Sequence, residues 1–185
     1  APLAQGIGQD LAATWQALAD ERRALLKLIS RFEITADQAR RLYVQEERAN
    51  AGIETNDEAI LANPYLLYEL TRLGNDPVSV WTVDRGVFPD AVIRENHPLP
   101  EPSALDAGTD ARRVRALAIK VLEDAAIAGN TLLPQTQVVL GIRGMTLEPC
   151  CEVSGDLMDV ARNRFEDAIR TTEMATGEPA LQLGR

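Results

Sequence analysis

Gly6-Ile7-Gly8, with Ala12 and Trp15 behind it, is a set of residues suited to holding an anion. A reversal between two helices within a few residues needs backbone that tolerates positive φ, which glycine supplies. Ile7, between the glycines, points inward and pins the turn. The helix that follows opens with N–H groups lacking intrahelical partners, and these, with the helix dipole, attract a phosphate oxygen. Ala12 permits close approach of the two helices, and Trp15 lies one turn further on the same face. Gly6, Ile7, Gly8 and Gln9 are therefore candidate DNA-backbone contacts through their N–H groups.

The spacing recurs. Glu33-Ile34-Thr35 is followed by Ala39 and Leu42, with the alanine six and the apolar residue nine positions after the first, as in the first copy. This is the pattern of a helix-hairpin-helix unit used twice. At the second copy Thr35 and Ala36 supply the amides and Thr35 adds a hydroxyl. Arg40 and Arg41 stand just behind that turn, and Arg112 and Arg113 form a second basic set with Arg115 and Lys120. Between positions 20 and 48, seven cations face six carboxylates, a balance that equally describes ion pairs on helix surfaces.

The elements that position these residues follow from periodicity. Residues 9–30 read as helix, with Leu11, Trp15 and Leu18 on one stripe and Leu25, Leu28, Ile29 and Phe32 continuing it in a second helix. Thr35 is an N-cap for a helix over 36–48, with Ala39, Leu42 and Tyr43 inward. A loop spans 50–56, and Asp57 to Ala62 makes a short helix stopped by Asn63-Pro64. Tyr65 to Leu73 reads as the next helix. Residues 76–109 read as an irregular Pro/Gly-rich connector in which Val78 to Val83 is a short strand or a buried extended segment. Trp81 and Phe88 within it read as core plugs rather than base-stacking platforms. Asp110 caps the clearest helix, 111–128, and Pro134 opens another to about Leu140. Ser154 or Asp156 starts a last helix to about Thr172, and the tail from Leu181 suggests a strand whose partner lies elsewhere. The expected architecture is mainly α: tandem helix-hairpin-helix units over 1–75, the connector, and a small helical, winged-helix-like domain over 110–185.

Composition narrows the function classes. The chain has 185 residues, a net charge of −9 and 4% aromatics. The acidic balance argues against a wholesale basic nucleic-acid surface, so any DNA contact must be local. No apolar run approaches the length of a membrane span. The chain opens on Ala-Pro-Leu without a signal-peptide layout and nearly on the first turn, which suggests a piece of a longer, cytoplasmic protein. Cys150 and Cys151 are adjacent and read as free thiols, and neither has metal-ligand spacing to His97, the single histidine. There is no GxxxxGK[ST] cradle and no nucleophile elbow, so no catalytic residue is assigned.

The ordered set of motifs resembles one family. Gly6 to Trp15, Phe32 to Tyr43, Asn63-Pro64-Tyr65-Leu66, and then Asp110, Arg112, Arg113, Gly129 and Thr131 to Pro134 are similar to the N-terminal region of RecD-like ATP-dependent DNA helicases of superfamily 1, the exodeoxyribonuclease V alpha type. The resemblance covers about residues 6 to 140. It implies an accessory module that holds DNA, single-stranded or duplex, by its backbone without reading sequence. It also implies a downstream ATPase domain that uses ATP and Mg, with no cofactor in this piece. Three departures stand out. The family's further Gly-x-Gly hairpin is replaced by Val78 to Asp90 with Gly86 alone. The second unit has Glu33 and Thr35 where glycines would help, and the first turn is followed by Gln9-Asp10 rather than basic residues. These suit a branch in which some hairpins are scaffold only. The other reading of the residues is a structural, protein-interaction module that positions the motor or a partner.

Overall fold

Eleven α-helices and three short strands are built from the described residues, 8–165 and 168–184, of this computed structural model. The N-terminal part is helical throughout: α1 (Gln9–Ala17), α2 (Asp20–Ile29), α3 (Ala36–Tyr43), α4 (Gln45–Asn50), α5 (Asp57–Ala62) and α6 (Leu66–Thr71). Two expected helices are each split. Leu18 and Ala19 take extended backbone, with ψ of 141° and 151°, so the predicted 9–30 helix becomes α1 and α2. Val44, with ψ of 116°, separates α3 from α4 inside the predicted 36–48 helix. Alpha2 buries Leu25, Leu28 and Ile29, spaced i, i+3, i+4. Each such side chain contributes roughly 1.5–3 kcal/mol by leaving water. Leu11 and Trp15 of α1 are instead 59% and 40% exposed, so the stripe predicted there does not face the core.

The segment predicted as irregular holds two helices, α7 (Val80–Val87) and α8 (Ala91–Asn96). Val78 to Val83 is thus neither strand nor extended segment beyond its first residues. Ser79 accepts a hydrogen bond from the Trp81 N–H and starts α7, and Val80, Val83, Asp84 and Val87 then fall on one buried face. Tertiary burial overrides the β preference of Val, Trp and Thr.

The C-terminal part runs α9 (Ala111–Ile127), β1 (Leu133–Pro134), α10 (Gln135–Arg143), α11 (Gly155–Ala161), a 3-10 turn at Arg162–Arg164, β2 (Ile169–Glu173) and β3 (Pro179–Leu183). Asp110 caps α9 as expected, and Ser154, rather than Asp156, caps α11. The last helix stops at Ala161, well short of Thr172, because the β-branched run from Ile169 pairs as a strand. The tail strand does have partners. β3 lies between β1 and β2, antiparallel to both, with Leu181 opposite Leu133 and Thr171. Gly177, at φ +82°, closes the β2–β3 hairpin in a conformation that favours glycine.

One cluster of buried apolar residues runs from Leu25 and Leu28 through Tyr65 and Val83 to Leu117, Ile142 and Leu181. The N-terminal helices and the C-terminal sheet therefore share a continuous core. No helix among the described residues is long and apolar enough to cross a membrane.

Candidate nucleic-acid interface

At the second predicted turn, residues 30–35 connect α2 to α3. The C-terminal turn of α2 tightens: Arg31 donates its N–H to the Leu28 carbonyl at 3.0 Å and Phe32 to that of Ile29 at 3.1 Å. Phe32 is buried and presses against α7, where a Cβ on Gly86 would sit 2.3 Å from its ring and 2.9 Å from the Arg31 carbonyl. Only glycine allows that approach. Thr35 then starts α3 with a reciprocal cap. The Gln38 N–H donates to the Thr35 hydroxyl at 3.1 Å, and the Thr35 N–H donates to the Gln38 side-chain oxygen at 2.9 Å. Ala39 is half-buried and Leu42 buried, on the inward side of α3. No glycine lies between α2 and α3.

At the first copy, Gly6 and Ile7 lie outside the described residues. Gly8 is extended, with φ −67° and ψ 164°, and serves as the N-cap of α1. It does not adopt the positive φ expected of a hairpin glycine. Ala12 and Trp15 are exposed, so no close helix approach is made there. Gln9 opens α1.

The expected cations separate sharply. Arg40 is the most open, with its side chain 66% exposed and paired to Glu47 at 2.6 Å. Arg41 pairs with Asp76. Both stand on α3, Arg40 one turn from Ala36 and Arg41 one turn from Asp37. Arg112 is occupied elsewhere. It makes a two-pronged pair with Asp110 and donates to the carbonyls of Ala62, Pro102 and Ala104, none of them in the hairpin. Arg113 leaves the set of possible DNA contacts altogether, because it is fully buried. It pairs with Asp84, donates to the carbonyls of Gly108 and Pro149, and lies 4.5 Å from the centroid of Phe88. Arg22 and Arg48, from the dense basic stretch, converge on Asp57 at 2.6 and 2.8 Å, and Arg22 stacks on Tyr43.

Asp84 is a buried carboxylate that the sequence pattern did not single out, and it meets Tyr65 of the Asn-Pro-Tyr motif. The Tyr65 hydroxyl donates to Asp84 at 2.6 Å. Burial first, and then the neighbouring Asp84 charge, pushes that hydroxyl well above its ordinary value. The signal available was a single carboxylate inside an apolar stripe, Val80, Val83, Asp84 and Val87. Burial likewise raises the Cys151 thiol, while Cys150 beside it is exposed, and both are free thiols. Phe88 is buried and Trp81 packs against the core. Among the described residues no three His, Cys, Asp or Glu side chains gather to hold a metal.

Comparison with protein-family models, curated proteins and solved structures returns no match.

Proposed function

We propose that this chain is the non-catalytic N-terminal accessory module of a RecD-like DNA helicase and holds DNA by its backbone through the α2–α3 hairpin. The carrying observation is the start of α3: Thr35, Ala36 and Asp37 are exposed, the Thr35 N–H is taken by Gln38 so that Ala36 and Asp37 are the amides offered, and Arg40 stands exposed one turn beyond. Backbone amides at a helix start and a nearby guanidinium are the chemistry of phosphate binding. Arg41 adds a second cation, tempered by Asp76, and Asp37 keeps the contact weak. Gly6 to Gln9 would supply a second grip of the same kind. The parent's ATP, Mg and motor chemistry belong to its ATPase domain.

The order helix, strand, helix, helix and β-hairpin from α9 onward supports reading this half as winged-helix-like. Its α11 occupies the place of a groove-reading helix but exposes Asp156, Leu157 and Val160. An acidic, apolar face suits a protein surface better than DNA, which favours the second reading for this half: a scaffold that docks the motor domain or a partner.

The test is fluorescence anisotropy with labelled single-stranded and duplex oligonucleotides between about 50 and 200 mM salt. Binding that weakens with salt, at a log–log slope of roughly −1 to −3, is expected for so few phosphate contacts. A folded protein that binds neither oligonucleotide at the lowest salt would leave the docking role alone standing.

A further inference from the structure

We propose that the cavity beside the α2–α3 hairpin accepts one unstacked nucleobase, so that the module prefers single-stranded to duplex DNA. This rests on the reading that the hairpin holds phosphate, and it adds what the strand does next to that contact. The cavity measures about 520 Å³, within the range of small-molecule sites. It opens between α3, the loop after α4 and the end of α6.

Its chemistry is layered. Leu42, Ile53 and Val78 form a buried apolar floor. Leu70 and Leu73 flank it and are 38% and 81% exposed, a costly placement for leucine unless something covers them. The rim carries three carboxamides, Gln38, Asn50 and Asn75. The two charged groups present, Arg41 and Asp76, are paired with each other. An apolar floor, amide edges and no net charge together fit a neutral, flat heterocycle with donors and acceptors around its edge. Gln38 is already engaged by Thr35, Asp76 and Pro77, so the exposed Asn50 and Asn75 are the carboxamides turned to a ligand's edge, and a phosphate would face Asp76.

Gln38 links this cavity to the hairpin. Its side-chain oxygen accepts from the Thr35 N–H, and its side-chain nitrogen donates to Asp76 at 2.9 Å and to the Pro77 carbonyl at 3.3 Å. Gln38 lies only about 4.5 Å of axial rise beyond Thr35 along the helix. A phosphate held at the start of α3 would therefore lie beside the cavity mouth, within reach of its own nucleotide's base. Paired bases in a duplex are stacked and unavailable, and taking one out costs a few kcal/mol.

The experiment uses the full chain, fluorescein-labelled oligo(dT) and a hairpin duplex of matched length. Leu73→Asp and Asn75→Ala, both at exposed positions, are checked for folding by circular dichroism. Single-stranded DNA is expected to bind about tenfold more tightly than the duplex. Leu73→Asp is expected to remove most of that preference, and Asn75→Ala part of it. Asn75→Ala keeps the wild-type salt slope, because it alters no phosphate contact. Equal affinities for both DNAs, with silent variants, overturn the base site but leave the backbone grip intact. Binding to neither DNA overturns both.

Discussion

Arg113 and Asp84 meet in a two-pronged ion pair, Nε to Oδ1 at 2.7 Å and a terminal nitrogen to Oδ2 at 2.8 Å, with both side chains buried. The pair joins α7 to α9 across 29 positions of chain, and Tyr65 adds a third donor. Asp84→Asn strands a buried guanidinium and is expected to cost about 3–5 kcal/mol, read from the urea midpoint. Replacing both partners, Asp84→Leu with Arg113→Met, is expected to lose far less than the two single losses combined. Simple additivity would show that the two side chains act independently.

Gly86→Ala places a methyl group into Phe32 and the Arg31 carbonyl. The expected cost is about 1–3 kcal/mol, the range for overpacking. Phe32→Leu should relieve part of it, so the double variant is more stable than additivity predicts. Thermal denaturation of the four proteins measures the coupling, and its absence would place the strain elsewhere.

Stability should fall in alkali. Burial raises the Cys151 thiol above its ordinary 9.0, and burial followed by the Asp84 charge raises the Tyr65 hydroxyl above its ordinary 10.0. Both groups are neutral when protonated, so the unfolded chain releases these protons first. Their stabilising contribution is whole below those ordinary values and declines as pH climbs through them toward the raised folded values. Melting temperature against pH measures this. Cys151→Ala is expected to flatten the earlier part of the decline, and an identical profile would clear the thiol of any part in it.

Arg40→Gln separates binding from folding. The Arg40 guanidinium pairs with Glu47 and is largely in solvent, so the melting temperature should not move. If the guanidinium meets a phosphate, the salt slope of DNA binding falls by about one. An unchanged slope takes Arg40 out of the interface.

Local signals carried much of this fold. Asn56, Ser154 and Asp110 cap helices where their side chains invite it, and Leu25, Leu28 and Ile29 turn inward on spacing alone. Thr35 and Gln38 form a capping box three residues apart, legible as a pattern. What escaped was non-local. Val78 to Val83 has strand-like composition, and only packing against α6 and α9 makes it helical. The run 154–172 keeps helical periodicity past Ala161, but Ile169 to Glu173 finds β3 as partner. Arg113 looked like a surface cation because its counter-charge, Asp84, lies in a different segment. At the first predicted turn, Trp15 has the right spacing but no neighbour among the described residues to bury it. The helix cap at Thr35 was thus legible, while the fate of each arginine depended on acids remote in the chain.

The strand order β1-β3-β2 puts the last-made strand in the middle. During synthesis Leu133 and Thr171 leave the ribosome with nothing to pair with, and they must wait for Leu181. Closing this sheet therefore waits for residues 179–183, whereas α9 and α10, which come earlier in the chain, can pack against each other without them.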